Sequence, residues 1–543
     1  MGRPVLSIGN GRLSRRRFAK WSLLGGAAPW LASVRGWSDE LPATARDYHV
    51  CLASDIIERT PDLLKIVHDA GVSAVWIGAF LYGHWPYPLD LIRRAKAAVE
   101  KEGLRAHLIN VPLGHPGDSL GAAKGDVPLT PPQHWRMGVT ADGRRHSGTS
   151  LHEPATSENV KALAALSALG PADLFLDDDF RLAISPGMVG GCYCDEHKDA
   201  YRKAAGVSEQ QWDGLRDDAR ARRLTPALRA FLDYCCDELT ASFHAQQAAW
   251  PGGRLGAMVM YFGAEKAGIR LSDYKNALLR VGECHFDDGS FGSVKGKCDE
   301  LFSVLFHRRF VAPERAFSET TAYPANRLSA ANMAAKLAVS TLSDTRHSMF
   351  MSGLTPFPVA HWATLKPAMK KHAALHARLA GHAPAGPFKH FWGEPSRYVG
   401  DDNPFSLFLA SGVPFAVCDA PAADGWTFLS NQDAAAAAAG TLKSAGSVFV
   451  QRGGPGMQPD GGRVLGEKFE DLLALKRELM PQLKGTPLVL EDKPAVLAWY
   501  PTADLALVWN LSPQPETLTV RREGSDRQVR VAGLDVEAVD WRA

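Results

Sequence analysis

Leu174-Phe175-Leu176-Asp177-Asp178-Asp179-Phe180-Arg181 is a short apolar run that stops at three consecutive carboxylates. A run apolar at every position, rather than at every second one, marks a strand buried on both faces, as in parallel sheets covered by helices. Runs of the same kind recur at His49–Ser54, Ser73–Ala79, Ala106–Val111, Leu255–Tyr261, Val281–Phe286, Arg315–Ser318 and Ser348–Met351. Between them lie helical patterns, among them Pro61–Ala70, Leu89–Glu102, Ser157–Leu169, Pro226–Ala249 and Ser329–Leu342. Eight such strand–helix units predict a (β/α)8 TIM barrel over residues 39–385. An open doubly wound sheet is the alternative arrangement of the same elements.

The pattern changes after the barrel. Residues 386–485 read as a smaller α/β, Rossmann-like domain, with the apolar stretch Gly412–Val417, an alanine-rich helix over Asp433–Ala439 and a strand over Ser447–Val450. Gly453-Gly454-Pro455-Gly456 is a turn-rich loop without the spacing of a phosphate-binding fingerprint. From 486 to 543 the apolar residues alternate as in β-hairpins (Ala495–Trp499, Leu505–Trp509, Thr517–Arg521, Gln528–Val531). That predicts a small C-terminal β-sandwich-like domain.

At the other end, Ser14-Arg15-Arg16-Arg17-Phe18-Ala19-Lys20 precedes a short, mildly apolar stretch from Trp21 to Ala32. The paired arginines and their spacing predict a twin-arginine signal peptide over residues 1–38. The expected partner is then the twin-arginine translocase, and the expected destination is periplasmic or secreted. A dozen apolar residues are too few to span a bilayer, so no stable membrane insertion is expected. Charges balance, Lys+Arg 61 against Asp+Glu 59. No basic stripe points to nucleic acid. Eight cysteines in 543 residues are too few for a disulfide framework. Cys51, Cys284 and Cys298 read as buried small hydrophobes, and the vicinal Cys235 and Cys236 share a helix.

In a TIM barrel the chemistry sits at the C-terminal ends of the strands. Alternation there sends Asp177 and Asp179 to one side and Asp178 to the other. The seventh strand ends in Ser318-Glu319-Thr320-Thr321. A carboxyl from strand four facing one from strand seven is what cleavage of a glycosidic bond requires: one protonates the leaving oxygen, and the other attacks the anomeric carbon or activates water. Trp85, Tyr87, Tyr261, Tyr323 and Trp362 lie just past strand ends, where rings can stack on sugar faces. His285 and Asp287 after strand six are candidates for sugar hydroxyls, and Arg181 for a uronate carboxylate. Two other functions fit the same barrel. One is a non-catalytic carbohydrate-binding protein. The other is a metal-dependent hydrolase or lyase in which Asp177, Asp179, His285 and Asp287 hold a divalent ion.

Shortly after the aspartates comes Cys192-Tyr193-Cys194-Asp195-Glu196-His197. Two thiolates and an imidazole at this spacing suit Zn²⁺, with Cys192, Cys194 and His197 as three ligands and a fourth from His134, His146 or His152.

Together, Asp177-Asp178-Asp179-Phe180 and the Cys-x-Cys-x-x-His turn resemble the family-42 β-galactosidases, glycoside hydrolases of the retaining TIM-barrel clan. There the strand-four motif reads Asp-Asn-Glu-Tyr and a Cys-x-Cys-x-x-Cys zinc loop follows. The resemblance implies a barrel, an α/β middle domain that supports a homo-trimer, and a small β-domain. It implies a saccharide substrate, Asp179 as acid/base and Glu319 as nucleophile. Asp177 and Asp178 would shape the pocket, and Cys192, Cys194 and His197 would take three places at a structural zinc. Three positions depart from the family: Asp178 replaces an asparagine, Asp179 is one methylene shorter than the usual glutamate, and His197 replaces a cysteine.

Overall fold

In the computed structural model, the structure describes residues 45–113, 131–177, 180–183, 188–282, 285–453 and 461–541. Residues 1–38, where the sequence predicts a signal peptide, and Asp178, Asp179 and Cys284 lie outside the described residues. Eight parallel strands close into a barrel: β1 (Asp47–Leu52), β2 (Ala74–Leu81), β3 (Arg105–Val111), β4 (Leu174–Leu176), β5 (Leu255–Met260), β6 (Leu278–Gly282), β7 (Ala316–Thr321) and β8 (His347–Met351). The closing pair sets Asp47 of β1 opposite His347 of β8, and Val50 opposite Phe350. Closure removes the free edges an open doubly wound sheet would keep.

Seven strands lie where their apolar runs predict. β6 does not: it starts three residues before the expected Val281, so Leu278-Leu279 form the buried start and the residues after Gly282 belong to the rim. The shift brings Arg280 into the strand.

Alternation along the strands fills the lumen in layers, as the fold requires. At the N-terminal end, six rings interlock: His49, Trp76, His107, Phe175, Phe317 and His347. One step higher stand Asp177, Arg280 and Glu319, beside Met349. The outward residues pack under the helices. Tyr48, for example, donates to the carbonyl of Met369 at 2.8 Å on the helix His361–Leu379.

The second unit is a five-stranded parallel sheet of β9 (Phe388–Phe391), β10 (Phe415–Cys418), β11 (Trp426–Leu429), β12 (Val448–Arg452) and β13 (Arg463–Leu465), in the order β10-β9-β11-β12-β13. The C-terminal part consists of two three-stranded antiparallel sheets. Their strands are β14 (Leu488–Val489), β15 (Ala495–Tyr500), β16 (Leu505–Asn510), β17 (Glu516–Arg522), β18 (Ser525–Val531) and β19 (Val536–Asp540), paired β14-β17-β18 and β15-β16-β19. Leu518, Val520 and Val531 of one sheet pack on Leu497, Val508 and Val539 of the other. Buried polar contacts join the second unit to the barrel: Lys266 Nζ reaches the Gly400 carbonyl at 3.1 Å and Asp402, and Ser406 donates to Asp299. Among the described residues, no helix is long and apolar enough to cross a membrane.

Candidate active site and metal-ligand cluster

Three strands meet at one guanidinium. Arg280 of β6 directs Nε at Glu319 Oε1 of β7, 2.6 Å away, and Nη2 at Asp177 Oδ1, just past β4. All three side chains are buried, Arg280 completely and both carboxylates to within 2%. Thr321, one inward position above Glu319, donates to its Oε2 at 2.8 Å. The Arg280 guanidinium also lies 5.1 Å over the Phe175 ring. Burying such charges costs several kcal/mol per ion, so the arrangement persists only because each carboxylate meets the cation. Gly282 leaves room beside this group, since a Cβ there would lie 3.1 Å from Glu319 Oε2 and closer still to the Met258 methyl.

The sequence reading placed Glu319 and Asp177 at the barrel mouth, and the structure brings them together. It missed Arg280, the residue between them. A lone arginine inside the apolar run Leu278–Val281 was the available signal, because an unpaired charge cannot sit in a buried strand.

The remaining candidates divide. Trp85 is 42% exposed and packs against Phe80, with ring centroids 5.1 Å apart, leaving its outer surface open. His285 stands at the rim against Tyr261, its Nε2 3.8 Å from Asp299 Oδ2. Arg181 is buried and donates from Nε to the carbonyl of Ala183 at 2.9 Å. Two candidates serve structure instead. Asp287 caps the short helix Asp288–Phe291, and the Ser290 amide holds its carboxyl below the usual carboxylate range. Trp362 is buried beneath the barrel's helix layer, edge-on to Phe350, which points away from the lumen beside Tyr48. Its place just past β8 in the sequence says nothing about the face it occupies.

The Cys-x-Cys-x-x-His turn enters the helix Asp195–Ala205. Cys194 Sγ lies 3.2 Å from His197 Nδ1 and 3.4 Å from His152 Nε2, and the three ligand atoms fall within 4.8 Å of one another. Cys192 is buried beside them and accepts the Val139 amide at 3.4 Å. A hydrogen bond from Cys192, joined by those from His152 and His197, pulls the Cys194 thiol far below its ordinary value. His152 turns its other nitrogen, Nδ1, toward Glu196, 3.6 Å away, which is how a carboxylate orients a ligating imidazole. Of the three candidate fourth ligands, His152 is thus the one at the cluster; His134 bonds Glu158 on the surface. Cys194, His152 and His197 bring one thiol and two imidazoles together, donors of the kind that zinc takes, with Cys192 beside Cys194.

A second trio lies at the N-terminal end of the barrel. His49 Nε2 is 3.0 Å and His347 Nδ1 3.2 Å from Asp47 Oδ2, and the two nitrogens are 3.1 Å apart. Proximity here is not ligation. Trp76 can only donate, and its Nε1–H points at His49 Nδ1 at 3.1 Å, so the proton of the neutral ring is on Nε2. The Glu314 carbonyl can only accept, so His347 carries a proton on the Nε2 that faces it. Arg105 and Ser73 donate to Asp47. Burial lowers His49 to about 4 and the neighbouring His107 to about 3.

Compared by sequence, the chain matches no family model and no curated protein. Compared by structure, it is similar to a β-galactosidase from the psychrophilic Marinomonas ef1, at 10% identity and TM-score 0.57, over 91% of this chain and 99% of that one. A catalytic mutant of a GH42 β-galactosidase from G. stearothermophilus matches at 10% identity and TM-score 0.54, with the same shares covered. The α-L-fucosidase isoenzyme 2 from Paenibacillus thiaminolyticus matches at 11% identity and TM-score 0.54, over 91% and 98%. The chain has the fold of these proteins. At such identities the likeness is one of fold, and the site must carry the function.

Proposed function

We propose that the chain is an exported glycoside hydrolase that cleaves a glycosidic bond with retention of configuration. The observation that carries this reading is Glu319, a carboxylate on β7 facing the lumen, fixed by Arg280 and Thr321, with the same arginine meeting Asp177 at the end of β4. In the first step Glu319 attacks the anomeric carbon while Asp179 gives its proton to the glycosidic oxygen. The carbon–oxygen bond to the leaving group breaks, an alcohol departs, and the sugar remains as an ester on Glu319. Asp179, now a carboxylate, takes a proton from water as the water oxygen attacks the same carbon and releases Glu319. Trp85 offers a ring to stack on the sugar, while Asp178, His285 and Arg181 supply polar contacts.

Cys192, Cys194, His152 and His197 would hold a structural zinc, which when bound ties the segment after β4 to the helix starting at Asp195. Loading that ion before export fits a twin-arginine leader. A trimer in solution, as the resemblance implies, belongs to the same reading. The metal-dependent alternative is less favoured, because Asp177 already meets Arg280.

The test is a panel of aryl glycosides, uronosides included, assayed with the wild type and with Glu319→Gln. The reading expects turnover by the wild type and a loss of several orders of magnitude in kcat at unchanged melting temperature. Equal turnover by both would sink it.

A further inference from the structure

We propose that Arg280 is the positioning residue that fixes the carboxylate of Glu319, the proposed nucleophile, in the barrel lumen, a role that rests on the glycosidase reading above. Arg280 stands on β6, and it reaches forward to β7 and, across β5, back to the end of β4. It uses a different nitrogen for each neighbour, Nε for Glu319 and Nη2 for Asp177. A planar guanidinium fixes the angle between those two contacts, whereas a lysine ammonium is a single point on a flexible stem. On one side the fork holds the proposed nucleophile. On the other it meets Asp177 at the end of β4, so the guanidinium that fixes the nucleophile is itself anchored.

The surroundings leave Arg280 little freedom to do anything else. It is completely buried, its guanidinium lies over Phe175, and Nη1 meets Met349 Sδ at 3.0 Å. Its effect on the reaction therefore passes through the carboxylates. A displacement of about 1 Å can cost about 10²-fold in rate.

Arg280→Lys keeps the charge and loses the fork; Asp177→Asn keeps the shape and loses one contact. Both are to be assayed with the wild type on one aryl glycoside, with melting temperature as the check on folding. The expected result is a fall in kcat of about 10²-fold for Arg280→Lys, with KM changed by no more than a few-fold. A smaller fall is expected for Asp177→Asn, and the double variant should be no worse than Arg280→Lys alone. A merely structural role would lower stability without that split between kcat and KM. Where Arg280→Lys does not fold, Asp177→Asn carries the test alone, and an unchanged kcat there overturns the proposal. A wild type that hydrolyses glycosides through Glu319 while Arg280→Lys retains full kcat overturns the role of Arg280 and leaves the glycosidase reading standing. A wild type that hydrolyses no glycoside overturns the reading and this role together.

Discussion

The cluster His152, Cys194, His197 and the cluster Asp47, His49, His347 look alike as lists of residues: each puts three metal-capable atoms within 4.8 Å. They differ in what surrounds them. Around Cys194, the described partners are a second thiol, two imidazoles and the Glu196 carboxylate that steers His152, with no hydrogen bond from a cation to the sulfur. Around Asp47, a guanidinium and a hydroxyl already fill the carboxylate, and an indole occupies the lone pair of His49. A site for a cation needs lone pairs to spare. The first cluster has them; the second has spent them on closing the seam between β1 and β8.

Metal content gives the largest contrast. Purified wild type should carry about one zinc per chain by elemental analysis, Cys194→Ser should lose it, and His49→Gln should keep it; zinc lost from His49→Gln would erase the distinction. Stability comes next. Asp47→Ala leaves His49, His347 and the partly exposed Arg105 without their shared acceptor, and should cost about 1–3 kcal/mol in denaturant unfolding while leaving zinc content unchanged.

Acid sharpens the same contrast. His49 and His107 titrate near 4 and near 3 in the folded chain, against about 6.5 when unfolded. The unfolded state binds their protons first, so the stability they support is complete above pH 6.5 and falls as the pH drops toward 4. Asp47, held well below its ordinary value by His49 and His347 against the opposing effect of burial, loses its contribution only at lower pH. His107→Gln should therefore flatten the fall in unfolding free energy between pH 6.5 and 4.5 by about 1.4 kcal/mol per pH unit. An unchanged slope would place His107 outside this account. The smallest effect belongs to Glu196→Gln, which should weaken zinc binding by about 10-fold, read by competition with a chelator; Glu196 also pairs with the exposed Arg136, so Arg136→Ala serves as the control.

The barrel was legible because strands covered on both faces cannot hide their apolar runs, and β1 through β5 needed little else. β6 was misplaced because Leu278-Leu279 is as apolar as Val281-Gly282, and a charge at Arg280 reads as a strand end until its two carboxylates are seen. The same three-residue shift concealed the residue that joins Asp177 to Glu319. At the metal cluster the spacing of Cys194 and His197 gave the turn, while three histidines upstream were equivalent by sequence; only the fold selects His152. Trp362 and Asp287 were misread for one reason, since closeness to a strand end in sequence fixes neither the face of a ring nor whether a carboxylate caps a helix.

The central claim is that Glu319 is the nucleophile of a retaining glycosidase. Incubating the protein with a 2-deoxy-2-fluoro aryl glycoside of a sugar it hydrolyses, followed by peptide mass spectrometry, tests it directly. The account predicts one fluorosugar per chain, attached to the peptide containing Glu319 and absent from Glu319→Gln; a sugar attached to any other carboxylate, or turnover without a trapped ester, would contradict it.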